Sequence, residues 1–296
     1  MKAGRWFVFL WALAACLLPA CGGSDGPATG ASPSEGEFPE RIVSLSPTAT
    51  EILFAIGAGP QVVAVDDASS YPTNAPTTKL SGYDPNTEAL ATYRPDLVVY
   101  SNEPGNLGPS LDAIKVHRIL QPAAESLNDT YAQILELGAA TGHRSEARKI
   151  VDEMKAEIEG IVQSLPRLSR PPTYYHELDE NYFTATSNTF IGGVYALLGL
   201  KNIADTADQQ GSGYPQLSGE YIIQANPDLI FLADARCCGQ SATTVAARPG
   251  WDKIAAVQNG GVIELDDDIA SRWGPRIVEF LRSAARALKS FESAQQ

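Results

Sequence analysis

Two segments of the chain repeat one order of apolar and polar positions. The first runs from Thr87 to Tyr100 (TEALATYRPDLVVY) and the second, 132 residues later, from Gly219 to Leu232 (GEYIIQANPDLIFL). Each has a short helical stretch, a Pro-Asp turn and four consecutive apolar residues. Unbroken apolar runs of this length are typical of strands in a parallel sheet that is covered on both faces. The repeat therefore predicts two similar α/β lobes.

The rest of the pattern extends each copy with further strands and helices. Strands are predicted at 41–45, 62–65, 173–176 and 260–265, and helices at 46–57, 128–140, 187–199 and 276–289. Between the two copies, apolar residues at helical spacing over 144–165 predict one long helix with a single buried face. Such a helix would extend about 30 Å, so it could join two lobes and leave a ligand cleft between them.

The N-terminus has the pattern of an exported protein. Lys2 and Arg5 precede an apolar run that ends in Leu18-Pro19-Ala20-Cys21, so residues 1–20 are predicted to be a signal peptide. The small residue before Cys21 fits a bacterial lipobox, in which the cysteine is acylated. An ordinary signal peptide that contains a cysteine is the alternative. Residues 21–39 are rich in Gly, Ser, Pro and Ala and predict a flexible tether after the lipidated cysteine.

These segments define the expected domain organisation. We expect an N-terminal α/β lobe over 40–141, a connecting helix over 142–166 and a C-terminal α/β lobe over 167–296. Lipid on Cys21 would hold this body at the outer face of the cytoplasmic membrane or in the periplasm. We expect a monomer that meets the membrane through its lipid anchor only.

Charge and cysteine content narrow the classes of partner. The formal net charge is −13, and it becomes −15 when Lys2 and Arg5 leave with the signal peptide. Nucleic acid and anionic lipid surfaces are therefore disfavoured as direct partners. Apart from Cys21, the exported chain retains Cys237 and Cys238. In an oxidising compartment this adjacent pair can form a vicinal disulfide or stay as two thiols, and it has no zinc-type spacing.

Loops at the carboxyl ends of the predicted strands contain the candidate ligand-binding residues. Ligands of open α/β sheets commonly lie at that edge. The candidates combine aromatic rings, one cation and hydrogen-bonding groups, and they suit a bulky ligand that is partly flat and partly polar. They are Tyr71, His176, Tyr182, Tyr214, Asp268, Arg272 and Trp273.

Evidence for catalysis in the sequence is weak. The chain has no Gly-x-Ser-x-Gly elbow, phosphate-binding glycine loop or His-Glu-x-x-His helix. Asp266-Asp267-Asp268 could hold a hard cation, although acidic runs at strand ends are more often helix caps or solvated loops. We therefore expect no catalytic residue, no metal site and no resident cofactor. The enzymatic alternative is an extracytoplasmic thiol oxidoreductase using Cys237 and Cys238, or a metal-dependent hydrolase using the acidic loop.

A glutamate occupies the same position in both copies of the repeat. Glu88 and Glu220 each lie seven residues before the proline of the Pro-Asp turn, in the first turn of a predicted helix. Stabilisation by the helix dipole explains one such glutamate. Two at equivalent positions, one in each lobe, favour docking to basic residues of a membrane partner.

At these residues the chain resembles the cobalamin and ferric-siderophore binding proteins that deliver ligands to ABC importers. The resemblance extends over residues 40 to 290. It rests on Arg41-Ile-Val-Ser-Leu-Ser-Pro47, Asn86-Thr-Glu88, Arg94-Pro-Asp-Leu97, Tyr214-Pro-Gln-Leu-Ser218, Asn226-Pro-Asp-Leu229, Arg248-Pro-Gly-Trp251 and Arg272-Trp-Gly-Pro-Arg276.

The resemblance implies two Rossmann-like lobes joined by a long rigid helix, with little closure on binding. It also implies that Glu88 and Glu220 dock on a permease dimer, and that the loop around Tyr71, Tyr214 and the loop from Asp268 to Trp273 form the pocket. Ala68 stands where the cobalamin binder uses an aromatic residue, and Cys237-Cys238 has no counterpart. The expected ligand is a corrinoid or a ferric siderophore. A haem bound through a tyrosine or His176 is the alternative, and a tethered adhesion or scaffold module is a third reading.

Overall fold

The computed structural model describes residues 38–294 of the chain. The predicted signal peptide, Cys21 and the tether up to residue 37 lie outside the described residues. Within the described part, nine strands form two sheets in which every paired strand is parallel. The strands are β1 (Ile42–Leu45), β2 (Val62–Asp66), β3 (Thr77–Leu80), β4 (Leu97–Tyr100), β5 (His117–Leu120), β6 (Thr173–Glu177), β7 (Lys201–Asn202), β8 (Leu229–Leu232) and β9 (Val262–Glu264).

Strand order shows that the two halves are built alike. The first sheet has the order β3-β2-β1-β4-β5 and the second has β7-β6-β8-β9. The order β2-β1-β4-β5 therefore matches β7-β6-β8-β9, and β3 is an additional edge strand of the first sheet. Both sheets belong to one compact unit that begins at Phe38. The predicted fold class of two α/β lobes is confirmed.

Helices connect successive strands and cover the sheets. They are α1 (Pro47–Ala55), α2 (Thr87–Ala91), α3 (Leu107–Ala113), α4 (Leu127–Thr141), α5 (Arg144–Gln163), α6 (Phe190–Ala196), α7 (Gly219–Ala225), α8 (Ala235–Cys238), α9 (Ala242–Ala246), α10 (Ala255–Gln258), α11 (Asp267–Ser271) and α12 (Ile277–Ser293). Within residues 38–294 no helix has the length and apolarity that crossing a bilayer requires.

The Pro-Asp turns explain why the sequence repeats. Asp96 accepts hydrogen bonds from the backbone N–H groups of Glu40 (2.8 Å) and Arg41 (3.0 Å) at the start of β1. Asp228 accepts one from the backbone N–H of Thr173 (2.8 Å) at the start of β6. Each aspartate thus fixes the amino end of the neighbouring strand, and the proline stops the preceding helix.

The long helix predicted between the two copies is α5, which has 20 residues. Its buried face consists of Ala147, Val151, Met154 and Ile158, at the spacing that the sequence predicts. These side chains belong to one apolar core that includes Ile42 of the first sheet and residues of the second sheet and α12. The opposite faces of the two sheets have separate apolar cores. Because α5 shares one core with both lobes, it is a packed strut rather than an open linker.

Candidate ligand-binding cleft

The lobes meet where the carboxyl ends of their strands face each other, and a buried ion-pair group joins them there. Glu51 of α1 accepts a hydrogen bond from Arg272 Nη1 at 2.8 Å and one from Arg276 Nε at 2.8 Å, and Arg276 Nη2 also contacts it. The Glu51 side chain is buried, and both arginines are largely buried. A carboxylate in such a place needs its cations, because an unpaired buried charge is strongly unfavourable.

Further hydrogen bonds connect the same loops across the lobes. Ser70 Oγ donates to Asp268 Oδ2 at 2.9 Å, and Trp273 Nε1 donates to Gln133 Oε1 of α4 at 2.9 Å. Arg272 Nη2 also donates to the Ala68 carbonyl (3.2 Å) and to Asp268 (2.7 Å). Asp268, Arg272 and Trp273 therefore all take part in contacts between the lobes. In this structure, however, their polar groups bond to the protein itself.

Three exposed aromatic side chains lie in loops that follow strands of the two sheets. Tyr83 follows β3 in the first lobe and is 85% exposed, while Phe183 (39%) and Tyr214 (48%) belong to the second lobe. Phe183 forms an isolated antiparallel bridge with Gln216, which places it beside the Tyr214 segment. Of these three, the sequence predicts Tyr214 alone as a ligand-binding residue. Tyr83 and Phe183 are additional candidates.

The backbone beneath Tyr83 explains how that ring reaches the edge. A Cβ on Gly82 would lie 2.7 Å from the Leu45 carbonyl oxygen and 2.9 Å from Asp66 Oδ2. The chain therefore passes directly over the ends of β1 and β2, which a larger residue would prevent. Asp66 is buried, and this burial raises the pKa of its carboxyl group.

His176 does not lie in the cleft, so its predicted role as a ligand-binding residue is wrong. Its side chain is fully buried in β6, its Nδ1 lies 2.8 Å from the Tyr195 hydroxyl, and burial lowers its pKa to about 3. The imidazole is therefore a neutral core group. His176 lies within β6, on the face that contacts Tyr195 and Phe280, and not in a loop after the strand as the sequence suggested.

Tyr182 packs into the second lobe rather than standing free. Its ring centroid lies 5.5 Å from that of Trp251, and the Arg248 guanidinium lies 5.4 Å from its centroid. The turn at residues 179–183 directs Tyr182 against this cluster and leaves the adjacent Phe183 exposed. Phe183, for which the sequence predicts no role, is therefore more exposed than Tyr182, which the sequence predicts as a ligand-binding residue.

Tyr71 lines a different surface at the lobe junction. A groove of about 530 Å³ lies between α1, α5 and α12, and Tyr71 and Arg276 are among its lining residues. The Arg276 guanidinium lies 4.1 Å from the centroid of the Tyr71 ring, so one face of that ring is already covered. The groove also has a charged rim that includes Glu153, Glu157 and Arg282.

Beside the cleft, the second sheet ends in a buried charged cluster. Arg248 donates two hydrogen bonds of 2.6 Å to the fully buried carboxylate of Glu177. Asp234 follows β8 and is also fully buried, with neither carboxylate oxygen hydrogen-bonded in the described part of the chain. Burial, and then the neighbouring charge of Glu177, raise the pKa of Asp234 to about 7. Asp234 thus titrates close to neutral pH.

Cys237 and Cys238 form a vicinal disulfide in α8, directly after Asp234. The acidic loop that follows β9 holds this helix in place. Asp267 accepts hydrogen bonds from the backbone N–H groups of Arg236 (3.1 Å) and Cys237 (2.6 Å). Asp266 caps α11 by accepting from the N–H groups of Asp268 and Ile269. Within residues 38–294 no group of three or more His, Cys, Asp or Glu side chains is arranged to hold a metal ion.

Glu88 and Glu220 occupy equivalent places in the two lobes. Each is the second residue of its helix, after the cap residue Asn86 in α2 and Ser218 in α7. Both side chains are exposed. Because α2 and α7 begin at the carboxyl edges of their sheets, both glutamates lie on the side of the molecule where the lobes meet.

The geometry defines a two-lobed binding protein whose cleft is flanked by aromatic side chains. Residues 42–269 match the model of the periplasmic binding protein family. The chain belongs to this family, as the sequence resemblance predicts. The family is one of transport binding proteins rather than enzymes.

Curated relatives and a solved structure extend this assignment. The chain is 31% identical over 261 residues to YvrC, an uncharacterized ABC transporter substrate-binding lipoprotein of Bacillus subtilis, covering 84% of this chain and 80% of YvrC. It is 31% identical over 258 residues to a cobalamin-binding protein of Halobacterium salinarum, covering 84% and 69%. The periplasmic heme-binding protein RhuT of Roseiflexus sp. RS-1 superposes with a TM-score of 0.73 at 25% identity, covering 87% and 99%.

Proposed function

We propose that this protein captures a flat metal chelate, with a corrinoid as the first candidate, and delivers it to the permease of an ABC importer. The observation that supports this ligand class is the set of exposed rings of Tyr83, Phe183 and Tyr214 in loops of both lobes. Exposed aromatic faces at a concave junction suit a large, flat and largely apolar ligand. The cobalamin-binding relative supports the corrinoid choice.

An anionic ferric siderophore receives less support from the same cleft. Arg272 was the cation expected to bind it, but Arg272 forms ion pairs with Glu51 and Asp268. Its charge is neutralised within the protein, so binding an anion would require one of these pairs to open. Binding of a corrinoid does not require either ion pair to open.

Haem is the second candidate, and one observation favours it. Tyr83 is an almost fully exposed phenol, and a tyrosinate can ligate ferric iron. His176 is too deeply buried to serve as this ligand. Tyr214 is less suitable than Tyr83, because burial raises the pKa of its phenol and opposes formation of the phenolate. The haem-binding structural neighbour is consistent with this candidate.

Delivery and anchoring complete the proposal. The protein would be held outside the cytoplasmic membrane by lipid on Cys21, act as a monomer without catalysis, and dock through Glu88 and Glu220. The relative that is named a substrate-binding lipoprotein supports both the export and the anchor.

The test is an absorption titration of the purified exported protein with cyanocobalamin, hemin and a panel of ferric siderophores. Cyanocobalamin is expected to bind, and Tyr83→Ala and Tyr214→Ala should each weaken binding about fivefold, because each removes a stacking contact of about 1 kcal/mol. Tyr71→Ala is the matched control for the groove. If Tyr71→Ala alone weakens binding, the chelate lies in the groove and the proposed site is wrong. If no compound binds, the proposed ligand class is wrong.

A further inference from the structure

The Cys237–Cys238 disulfide lies on the exposed side of the cleft edge. Both cysteines are exposed, whereas Asp234, only three residues before Cys237, is fully buried. The backbone N–H groups of Cys238 (3.3 Å) and Gln240 (3.4 Å) donate to the Asp234 carbonyl. The segment therefore folds back over the end of β8 and presents its sulfur atoms to solvent.

Two sets of contacts hold this segment beside the residues that join the lobes. On one side, the N–H of Cys237 donates to Asp267, and the next residue, Asp268, accepts a hydrogen bond from Ser70 of the opposite lobe. On the other side, Gln240 accepts a 2.8 Å hydrogen bond from Arg248, whose guanidinium lies over the Tyr182 ring. The segment that carries the disulfide is thus connected through Asp267 to the interlobe contact and through Arg248 to Tyr182, the neighbour of Phe183.

We propose that the Cys237–Cys238 disulfide is part of the surface that contacts the bound chelate, and that its reduction weakens binding. This inference rests on the proposed function, because it places a flat chelate in the cleft. The disulfide form would be the binding-competent one in the oxidising space outside the membrane.

The chemistry of the disulfide explains why its reduction should weaken binding. A disulfide between adjacent cysteines closes a small ring through their peptide bond, so both sulfur atoms are held in place before the ligand arrives. Polarizable sulfur makes favourable contacts with the π-systems of flat rings. A dithiol reductant transfers two electrons and two protons to the sulfurs, which become two thiols while the reductant becomes a disulfide. The two thiol side chains rotate freely, so both must be immobilised when the ligand binds. The entropy that this immobilisation costs weakens binding.

The experiment compares dissociation constants of the exported protein before and after reduction. The protein is treated with dithiothreitol, freed of reductant under nitrogen, and titrated separately with cyanocobalamin and hemin by tryptophan fluorescence quenching. Reduction is expected to weaken binding about three- to tenfold, and reoxidation should restore the original value. Cys237→Ser/Cys238→Ser should bind like the reduced protein and should not respond to the reductant.

Three results of these titrations would contradict the inference. Equal affinity of the oxidised and reduced forms overturns the inference and leaves the proposed function intact. A response of Cys237→Ser/Cys238→Ser to the reductant places the effect elsewhere and also overturns it. Failure of both probes to bind any form contradicts the proposed function, and the inference with it.

Discussion

At the scale of single residues, burial shifts the pKa values of two titratable groups in the second lobe in opposite directions. His176 is neutral because burial lowers its pKa from 6.5 to about 3. Asp234 is protonated below neutral pH because burial and the charge of Glu177 raise its pKa from 3.8 to about 7. Arg248 opposes this effect on Asp234, and Asp267 adds to it. Both residues therefore keep an uncharged form inside the fold, at the cost of a pH-dependent free energy of unfolding.

The two pH dependences have opposite signs. Between pH 3.8 and about 7 the folded protein holds a proton on Asp234 that the unfolded chain releases, so stability from this group falls as pH rises. Between pH about 3 and 6.5 the unfolded chain protonates His176 and the folded protein does not, so stability from this group rises with pH. Their windows overlap, and the two contributions offset each other there.

The variant Asp234→Asn should show the pH dependence of stability that His176 contributes. An amide does not titrate, so the free energy of unfolding of this variant should increase with pH up to about 6.5, by up to roughly 1 kcal/mol per pH unit, relative to the flatter wild-type curve. Above pH 7 the variant should be more stable than the wild type. Urea denaturation at a series of pH values measures both effects. Parallel curves for the two proteins would show that Asp234 is ionised throughout.

At the scale of elements, the repeated helix, turn and strand are similar in both lobes but differ in burial. Arg94 and Asn226, which precede the two prolines, have positive φ values of 47° and 48°, so the chain turns in the same way twice. Asp228 is buried, and besides Thr173 it binds both terminal nitrogens of Arg170 at 2.6 Å. Asp96 receives its two backbone hydrogen bonds in a partly exposed place. The same sequence motif therefore contributes unequally to the stability of the two lobes.

Asp228→Ala should destabilise the protein more than Asp96→Ala. The first variant leaves the N–H of Thr173 without its acceptor and Arg170 without its partner, which should cost about 2–3 kcal/mol. The second frees two backbone groups that water can reach and should cost about 1 kcal/mol. Midpoints of urea denaturation at constant pH compare them. Equal losses would mean that burial does not distinguish the two turns.

Local patterns explain which elements the sequence could predict. The helices predicted to begin near 46, 87, 187 and 219 are present and have the N-caps Ser46, Asn86, Thr189 and Ser218, because a cap depends on residues within one turn. The strands β3, β5 and β7 were missed. All three lie at sheet edges, and their sequences (TTKL, HRIL and KN) lack the apolar run of central strands.

Side-chain roles in the cleft depended on contacts that no local pattern contains. Arg272 was expected to face the ligand, but its partner Glu51 is 221 residues away in sequence. Whether Tyr182 or Phe183 is exposed depends on the Trp251 cluster, which the sequence does not place beside them. Exposed Tyr83 stands in a loop after an unpredicted strand. The lobes were thus predictable from local order, while the ligand-facing set required the packed molecule.

At the scale of the whole molecule, the ion-pair group and the shared core constrain the lobes to one arrangement. Glu51, Arg272 and Arg276 join the lobes at the cleft, and α5 shares a continuous core with both. We expect these contacts to keep the distance between Glu88 and Glu220 unchanged when ligand binds. Two fixed carboxylates, one in each lobe, match what a permease dimer could recognise with one basic site in each subunit.

Reversing both charges tests this docking surface. Glu88→Lys/Glu220→Lys should abolish uptake of the bound chelate into cells, because two attractive contacts with the permease become repulsive, while the dissociation constant of the chelate stays unchanged. Each lysine also opposes a helix dipole and should cost a few tenths of a kcal/mol, so thermal denaturation verifies that the variant is folded. Single reversals should give intermediate uptake if the two sites act together.

Asp152→Lys/Glu159→Lys is the matched control, because it makes the same change in net charge at exposed positions of α5 outside the groove. If this control loses uptake as fully as Glu88→Lys/Glu220→Lys, the effect reflects overall charge and not docking. Full uptake by Glu88→Lys/Glu220→Lys would remove the docking role and leave helix stabilisation as the reason for both glutamates. Loss of uptake in that variant alone, with ligand affinity intact, would separate capture at the cleft from delivery through the two helix starts.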